Sequence, residues 1–239
     1  MLNRYEQQIK LAEIGLHGQE QFMNLKVLCI GAGGLGSSLL LYLAAAGVGT
    51  IGIVDGDSIS ESNLHRQILY SHDEINRPKV NAAKSRIESL NPEININVYH
   101  YRANKENAAT LISQYDIVAD CSDNFYTRYL IHDTCFALNK VYVYASASQF
   151  RGHCGVFVGS PCLRCVFPFT NSGGGSCSAE GVLGVSPGLL GVIQAAEILK
   201  WSLDLGSSLH KKLLLVDLLT LQFKEIALQV NPECELCAN

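Results

Sequence analysis

Hydrophobic and polar positions along the first 150 residues alternate between two kinds of segment. Short, almost wholly apolar runs are typical of strands buried on both faces of a sheet, and longer runs with apolar positions at helical spacing indicate helices between them. The predicted strands are 27–31, 50–55, 94–101, 116–120 and 141–146, and the predicted helices are 34–46, 78–90, 104–113 and 124–138. Such alternation predicts an α/β fold with a mostly parallel sheet and helices on both of its faces.

The pattern differs at the two ends of the chain. A short amphipathic helix is predicted at 3–17, ahead of the first strand. Beyond residue 150 the predicted elements are a strand at 153–160, a loop rich in Gly, Ser, Cys and Pro at 160–181, a helix at 187–202 and an antiparallel hairpin of strands at 212–217 and 221–230. We find neither an internal repeat nor an interdomain linker, so the sequence predicts one domain with an elaborated C-terminal third.

One long uncharged segment has two interpretations. The 28 residues from Val27 to Val54 include no charged side chain, and a segment of that length can span a membrane. However, glycines interrupt the segment, and its periodicity changes from strand to helix and back to strand. We therefore predict two buried strands and a helix here, and no membrane span.

Composition and charge narrow the class of protein. Of the 239 residues, 48% are hydrophobic and 17% are charged, which excludes a disordered chain. The formal net charge of -4 gives no electrostatic attraction to nucleic acid or to an anionic membrane. Nine cysteines in a chain that opens on a polar segment instead of a signal peptide indicate a reducing compartment, and we expect a cytoplasmic protein.

A glycine turn connects the first predicted strand to the helix at 34–46. Its glycines, Gly31, Gly33, Gly34 and Gly36, contain the G-x-G-x-x-G pattern, in which the backbone approaches a phosphate and the helix N-terminus favours negative charge. Asp55 ends the next strand, where an acid can accept hydrogen bonds from ribose hydroxyls. The pattern predicts a Rossmann-like nucleotide site, without separating a dinucleotide from ATP; the alternative is a tight turn with no ligand.

Two cations follow that acid along the chain. Arg66 lies in the run Ser62 to Gln67, and Pro78 places Lys79 near the N-terminal end of the helix at 78–90. A dinucleotide has two phosphates and needs few cations, whereas a triphosphate attacked at its α-phosphorus builds up charge that several cations stabilise. Solvated surface side chains are the alternative, but their position after the glycine turn favours a phosphate site.

A polar segment follows the predicted strand at 116–120. Ligands of open α/β sheets bind beyond the carboxyl ends of the strands, and Asp123 lies at such an end. A carboxylate there can hold Mg²⁺ between phosphates. The alternative is that Asp123 or Asn124 caps the helix at 124–138, and the two roles are compatible.

Two C-x-x-C pairs carry the most specific signal in the sequence. They are Cys162 with Cys165 and Cys234 with Cys237, each entered through a proline turn. Four thiolates in two such pairs predict a structural, tetrahedral Zn²⁺ site with no open position for catalysis. A redox pair is the alternative, but a thioredoxin-type motif opens a helix inside a βαβ unit, and we predict that neither pair does so.

Together, these motifs resemble the ThiF/MoeB/HesA family, bacterial relatives of the ubiquitin-activating enzymes. The segments that carry the resemblance are Gly31 to Gly36, Asp55-x-Asp57, Ser62-Asn63-Leu64-x-Arg66-Gln67, Arg77-Pro78-Lys79, Cys121-x-Asp123-Asn124 and the cysteine pairs, and it extends from Arg4 to Cys237. The resemblance implies ATP-dependent adenylylation of the C-terminal glycine of a ubiquitin-fold sulfur carrier ending in Gly-Gly, with pyrophosphate released. It also implies Mg²⁺, Zn²⁺, a homodimer, and a sulfurtransferase or cysteine desulfurase as a further partner.

The resemblance assigns roles to individual residues. The nucleotide-binding set is Gly31, Gly33, Gly34, Gly36, Asp55, Asn63, Arg66, Lys79, Asp123 and Asn124. In this set Arg66 and Lys79 stabilise the transition state, and Asp123 organises Mg²⁺. The chain then divides into an N-terminal helix at 1–20, a nucleotide-binding core at 21–150 and a zinc-bearing, carrier-binding part at 151–239 of one adenylyltransferase domain.

Two positions leave questions about mechanism. The family usually begins Arg-Tyr-x-Arg-Gln, with the second arginine reaching the partner subunit's ATP site, but Gln7 stands at that position here. We hypothesise slower adenylylation or a different partner, with Arg4 as a substitute cation. Cys177, in a glycine-rich loop, aligns with a cysteine that in some members bonds to the activated carrier; an uninvolved loop thiol is the equal alternative.

Two other functions remain open at this point. An NAD-dependent oxidoreductase explains the glycine turn and Asp55 but gives no purpose to Arg66, Lys79 and the cysteine pairs. A non-catalytic family member that binds a ubiquitin-like partner is favoured only by Gln7. The sequence also leaves open the carrier and the pathway, because thiamin and molybdopterin synthesis use enzymes with the same motifs.

Overall fold

The computed structural model describes residues 2–168, 181–206 and 208–238. Its centre is one eight-stranded sheet in the order β3-β2-β1-β4-β5-β6-β7-β8. The strands are β1 (Lys26–Ile30), β2 (Thr50–Val54), β3 (Asn95–Tyr99), β4 (Ile117–Asp120), β5 (Val141–Ser148), β6 (Arg151–Phe157), β7 (Lys212–Asp217) and β8 (Gln222–Ala227). The first five are parallel, and β5 to β8 pair antiparallel, which confirms the predicted fold class and the C-terminal hairpin.

Helices cover both faces of this sheet. They are α1 (Glu6–Ile9), α2 (Gly15–Asn24), α3 (Gly34–Ala46), α4 (Lys79–Leu90), α5 (Ala108–Ile112), α6 (Phe125–Ala137), α7 (Leu163–Val166) and α8 (Val185–Ser202). Alternate strand residues face opposite sides, so Val27 and Cys29 belong to one buried cluster and Leu28 and Ile30 to the other. The uncharged segment from Val27 is therefore core, and within the described residues no helix is long and apolar enough to cross a membrane.

The prediction of one N-terminal helix at 3–17 is wrong. A 3-10 helix at Leu2–Tyr5 and α1 end before Lys10, and α2 begins afresh at Gly15. Gly15 has a φ of +58°, a left-handed conformation that glycine adopts freely and that interrupts a right-handed helix. A helical repeat of apolar residues continues across this break, so the hydrophobic pattern alone did not reveal it.

The strand order places a crevice beside β1. From β1 the chain builds outward through β2 and β3 on one side, and then through β4 and β5 on the other. Adjacent crossovers leave such a sheet on opposite faces, and a crevice opens beyond the carboxyl ends of the two central strands. Here those strands are β1 and β4, which are followed by the glycine turn and by the polar segment at 121–124.

Candidate functional site

A cleft of about 300 Å³ occupies that crevice. It is bordered by the ends of β1, β2 and β4 and by the first turns of α3, α4 and α6. Of the sequence-predicted residues, it brings together Gly31, Gly33, Gly34, Asp55, Arg66, Lys79, Asp123 and Asn124. Gly36 and Asn63 do not line it. Residues separated by more than 90 positions in sequence thus share one cavity.

The glycine turn is shaped by close backbone contacts. Gly31 has a φ of +97°, and a Cβ built on it would lie 2.6 Å from the carbonyl oxygen of Cys121. A Cβ on Gly36 would lie 2.3 Å from the carbonyl oxygen of Gly31, so Gly36 is required for the close packing of α3 under the turn. A Cβ on Gly34 would lie 3.0 Å from Pro187, at the start of α8.

We expect Gly36→Ala to lower the free energy of unfolding by about 1–3 kcal/mol, because the new methyl group must displace the backbone at Gly31. Thermal denaturation measures the change. Gly188→Ala on α8 is the matched control, since a Cβ there meets no atom within 4 Å. Equal melting temperatures for the two variants would contradict this account of Gly36.

Asp55 is held in a fixed orientation at the end of β2. Its Oδ2 accepts a hydrogen bond from the Ala32 amide at 2.8 Å, and its Oδ1 accepts one from the Asp57 amide at 2.8 Å. Its side chain is only 10% exposed. An oriented carboxylate beside the glycine turn is suited to accepting hydrogen bonds from vicinal hydroxyl groups, and the role of Asp55 as a ribose ligand stays a prediction.

Lys79 is a buried cation between two carboxylates. It is the first residue of α4, its side chain is 7% exposed, and its Nζ lies 3.2 Å from Asp57 Oδ2 and 4.0 Å from Asp55 Oδ2. Partial burial by itself would raise the pKa of Asp57, but the charges of Lys79 and Arg102 offset this and lower that pKa below its ordinary value. The ammonium group is therefore held at the cleft wall in an ionised cluster.

Arg66 and Asn63 lie on the same polar connection but differ in their contacts. Arg66 lines the cleft, and its Nη1 donates to the carbonyl oxygen of Ser62 at 3.0 Å and to His65 Nε2 at 2.6 Å. Asn63 closes a short 3-10 helix, where its Oδ1 accepts from the Ser60 amide at 3.4 Å. A role for Asn63 in phosphate contact stays a prediction.

The sequence left open whether Asp123 or Asn124 caps the helix and whether Asp123 can hold a cation. Asn124 is the N-cap of α6, because its Oδ1 accepts a hydrogen bond from the Thr127 amide at 2.9 Å. Its Nδ2 donates to Asp123 Oδ1 at 3.2 Å. Asp123 is exposed and lines the cleft, so its carboxylate is accessible to a cation in the cavity.

Polar side chains beyond the assigned set also line the cleft. Gln67 is 4% exposed, and its Oε1 is a buried atom with no hydrogen-bond partner among the described residues; the same holds for the Oγ atom of Ser122. A buried polar atom left without a partner costs about 1–3 kcal/mol, so two of them in one cavity suit a polar ligand. Arg128, which is 2% exposed, is a further lining residue that sequence reasoning missed.

The two C-x-x-C pairs form one four-cysteine cluster, whose sulfur atoms all lie within 4.8 Å of one another. Zn–S bonds of about 2.3 Å in a tetrahedron require sulfur separations of about 3.8 Å. The Sγ atoms are 3.9 Å apart in Cys162–Cys165, 3.5 Å in Cys162–Cys234, 3.3 Å in Cys165–Cys237 and 3.6 Å in Cys234–Cys237. The donor set and its spacing fit a zinc ion.

The first cysteine pair begins a short helix, but neither pair begins a helix inside a βαβ unit, as predicted. Cys162 is the N-cap of α7, a helix of four residues. The surroundings still differ from a thioredoxin-type site, because β5 and β6 before it are antiparallel and the second pair completes the cluster. Cys177, the candidate for covalent chemistry, lies outside the described residues.

Side-chain contacts fasten this first cysteine pair to α6. Arg164 and Asp133 form a two-pronged ion pair, with Arg164 Nη2 2.6 Å from Asp133 Oδ2 and Arg164 Nε 3.0 Å from Asp133 Oδ1. The Leu163 amide donates to His132 Nε2 at 3.1 Å. Helix α6 therefore borders the cleft with its first turn and contacts the first cysteine pair with its later turns.

The N-terminal segment lies away from this cleft in its own chain. Gln7 on α1 is exposed, and neither Gln7 nor Arg4 lines the cavity. Arg4 Nη1 donates to the carbonyl oxygen of Leu90 at 2.9 Å, at the far end of α4 from Lys79. Arg4 thus has a structural contact within the chain.

These features define a doubly wound, Rossmann-like α/β protein with a glycine-turn cleft at the switch point of its sheet and a four-cysteine cluster near its C-terminus. Within that class, the chain belongs to the ThiF family, whose model matches residues 5–236. The family resemblance read from the sequence motifs is confirmed.

This chain is similar to curated proteins, and it covers most of the length of two of them and about half of a third. It is 41% identical to the sulfur carrier protein adenylyltransferase of Thermus thermophilus, over 100% of this chain and 91% of that protein. It is 38% identical to the SAMP-activating enzyme E1 of Haloferax volcanii, over 99% and 88%. It is 42% identical to the zebrafish (Danio rerio) adenylyltransferase and sulfurtransferase MOCS3, of which it covers only 52%.

Solved structures support the fold. The E. coli MccB structure with MccA-N7isoASN superposes with a TM-score of 0.87, covering 100% of this chain and 75% of that one at 20% identity. The E. coli MccB structure with ATP gives a TM-score of 0.86 at 21% identity, covering 99% and 75%. At these identities the comparison establishes the architecture alone.

Proposed function

We propose that this chain is an adenylyltransferase that uses ATP to activate the C-terminal glycine of a sulfur carrier protein. The observation that carries the proposal is the cleft, in which the glycine turn, the oriented Asp55, the cations Arg66 and Lys79, and Asp123 meet in one cavity. The names of the relatives in Thermus thermophilus and Haloferax volcanii, at 41% and 38% identity, support the same activity.

In the proposed binding mode, ATP lies along the glycine turn. Asp55 accepts hydrogen bonds from the ribose hydroxyls, and the amides at the start of α3 face the phosphates. Asp123 would hold Mg²⁺, which when bound neutralises phosphate charge. Asn124 orients Asp123 through its side-chain amide and caps α6. Gln67 offers ATP its side-chain oxygen, which is buried and has no partner among the described residues.

The reaction joins two anions. An oxygen of the carrier's terminal carboxylate attacks the α-phosphorus of ATP, the bond from that phosphorus to the bridging oxygen of the pyrophosphate breaks, and an acyl adenylate and pyrophosphate result. A terminal carboxyl has a pKa of about 3.3–3.7 and is already ionised, so no general base is needed. Lys79 and Arg66 stabilise the charge that develops on the phosphorane and on the departing pyrophosphate.

The four-cysteine cluster has a structural role in this proposal. Four thiolates would fill a tetrahedral zinc and leave no position for water or substrate. We further propose a homodimer, and a sulfurtransferase or cysteine desulfurase that acts on the adenylylated carrier. Cys177 is retained as a candidate for a covalent bond to that carrier, and a Cys177→Ala variant that adenylylates but fails in sulfur transfer would support it.

The test is incubation with Mg²⁺, ATP and candidate sulfur carriers that end in Gly-Gly. We expect ATP–pyrophosphate exchange that depends on the carrier, and a mass increase of one adenylate on the carrier terminus. Binding of ATP and of a carrier without exchange would favour a non-catalytic family member. Binding of NAD in preference to ATP would favour an oxidoreductase and overturn the proposal.

We expect Gln7→Arg to raise the exchange rate about tenfold, because a neutral amide cannot neutralise a terminal phosphate at a partner subunit's site, whereas a charge-assisted contact contributes about 1.5–3 kcal/mol. Carrier-dependent pyrophosphate exchange measures the effect. Gln21→Arg, which adds the same charge at an exposed position on α2, is the control and should give no gain. An unchanged rate in Gln7→Arg would count against slower adenylylation as the consequence of Gln7.

A further inference from the structure

We propose that Arg128 binds the terminal carboxylate of the carrier, in an anion site separate from the cations that face the phosphates. The inference rests on the proposed function and extends it to the second substrate. Nothing in the sequence motifs around the glycine turn involves Arg128, which lies in the first turn of α6. It lines the cleft although its side chain is only 2% exposed.

The guanidinium group of Arg128 is fixed in place. Its Nη2 donates to the carbonyl oxygen of Ser122 at 3.0 Å. Its Cζ atom lies 5.1 Å from the ring centroid of Phe125 and 5.3 Å from that of Tyr144. Two aromatic faces and one backbone hydrogen bond hold the planar guanidinium group of Arg128 in one orientation. The group therefore does not have to be ordered when a ligand binds.

The topology separates this cation from Lys79. Asp55 and Asp57, which contact Lys79, follow β2, whereas the ring of Tyr144 over Arg128 belongs to β5. Those strands are three positions apart in the order β2-β1-β4-β5, or about 14 Å at the usual strand spacing. Arg128 also contacts Ser122 after β4, so Lys79 lies on the β2 side of the glycine turn and Arg128 on the β4 and β5 side.

The chemistry of the two ends is different. At the β2 end, Lys79 contacts Asp55 and Asp57, and Arg102 pairs with Asp57, as suits a site that accepts hydroxyls and phosphates. At the β5 end, the Arg128 guanidinium packs against two aromatic rings and donates to the Ser122 carbonyl oxygen. Ser122 also lines the cleft, and its hydroxyl is a buried group with no partner among the described residues. An arginine fork binds a carboxylate through two parallel hydrogen bonds, and the hydroxyl can donate a third.

A nearby histidine adds no second charge at this end. His153 on β6 is close enough to Arg128 for their charges to interact, and burial together with that positive charge lowers the pKa of His153. The ordinary pKa of a histidine is about 6.5, so a lowered pKa favours the neutral imidazole at pH 7. Among the described residues that line this side of the cleft, Arg128 is the cation, and a single guanidinium matches one incoming carboxylate and not a second phosphate chain.

The test compares two forms of one sulfur carrier, one with a free C-terminal carboxylate and one with a terminal amide. Binding of each form is measured without ATP, by calorimetry, to the wild-type protein and to Arg128→Gln. We expect the wild type to bind the carboxylate about tenfold to a hundredfold more tightly than the amide, and Arg128→Gln to lose this preference. Arg86→Gln, which removes an exposed charge from α4, should keep it.

Separate control measurements test whether each variant still folds and still binds ATP. ATP affinity, zinc content and melting temperature are measured for each variant, and we expect ATP affinity to change less than about twofold, because Arg128 lies at the other end of the cleft. If Arg128→Gln does not fold, Ser122→Ala replaces it, with an expected loss of about threefold in the carboxylate preference.

Each outcome bears on one of the two proposals. An unchanged carboxylate preference in Arg128→Gln, or in Ser122→Ala where that variant replaces it, overturns the assignment of Arg128 while leaving adenylylation intact. A loss of ATP affinity equal to the loss of carrier affinity also overturns it, because the residue would then serve the nucleotide or the fold. Absence of carrier binding and of pyrophosphate exchange in the wild type overturns the proposed function, and this inference with it.

Discussion

Lys79→Met should lower the rate of carrier-dependent ATP–pyrophosphate exchange by about two to three orders of magnitude, as loss of one preorganised electrostatic group in an active site typically does. The Nζ of Lys79 is buried at the cleft wall, 3.2 Å from Asp57 Oδ2. In a site shielded from water its charge acts strongly on the developing phosphorane, and a thioether offers no replacement. Initial exchange rates at saturating ATP, with ATP affinity measured separately, give the effect on the chemical step.

The Lys79 experiment needs two controls. Lys84→Met removes a charge from the same helix at a 41% exposed side chain, and should leave the exchange rate unchanged. Because Lys79→Met leaves Asp55 and Asp57 without that counter-charge, its melting temperature must be measured, and Lys79→Arg shows whether charge alone restores activity. An exchange rate within threefold of wild type in a folded Lys79→Met variant would exclude Lys79 from the transition state.

Cys234→Ser should abolish stoichiometric zinc binding and cause the largest loss of stability among these variants. A structural zinc site of this type contributes about 10–16 kcal/mol of apparent binding free energy at pH 7, and removal of one thiolate ligand forfeits much of it. The cluster joins a loop after β6 to the C-terminal tail, across 72 positions of sequence between Cys162 and Cys234. Metal content by mass spectrometry and thermal unfolding test both consequences.

A matched thiol control separates zinc from packing. Cys135→Ala removes another buried thiol, from the α6 side of the core and outside the cluster. It should keep one zinc per chain and lose only about 1–3 kcal/mol through the small cavity that it leaves. Equal zinc content in Cys234→Ser and the wild type would show that the four sulfur atoms do not form the metal site.

Loss of zinc should also disturb the geometry of the cleft, because α6 contacts both the cysteine cluster and the cleft. The Arg164–Asp133 ion pair and the hydrogen bond from the Leu163 amide to His132 tie the first cysteine pair to this helix. The first turn of the same helix bears Asn124 and Arg128. We therefore expect Cys234→Ser to raise the KM for ATP as well as lower the melting temperature.

The sequence was most informative where local chemistry decides the structure. The helix predicted at 34–46 is α3 with the same limits, because a glycine turn begins it and Gly47, in the left-handed conformation, ends it. The central strands β1, β2, β4 and β5 were predicted from runs of apolar residues that are largely buried in the structure. Where a local signal is weak, the predictions were wrong: one helix was predicted across Gly15, and a loop was predicted where the four-residue α7 lies.

The candidate site was predicted in part. Gly31, Gly33, Gly34 and Asp55, which line the cleft, and the four cysteines of the cluster each belong to a short motif whose spacing indicates the chemistry. Arg128 was not predicted from the sequence. It lies in the first turn of the helix that follows the carboxyl end of a strand, and a cation at that position is a weak signal of a ligand site. Its importance comes from Tyr144 and Ser122, which reach it through the fold.

The sequence by itself determined the class of fold, the family and the kinds of group available for chemistry, because these depend on periodicity and on residues within a few positions of one another. Only the tertiary structure decided which groups meet. It seated Lys79 between two carboxylates more than 20 positions away, closed four cysteines into one cluster, left Asn63 out of the cleft and put Arg128 into it. Such contacts depend on how distant segments pack around one sheet, which no local pattern encodes.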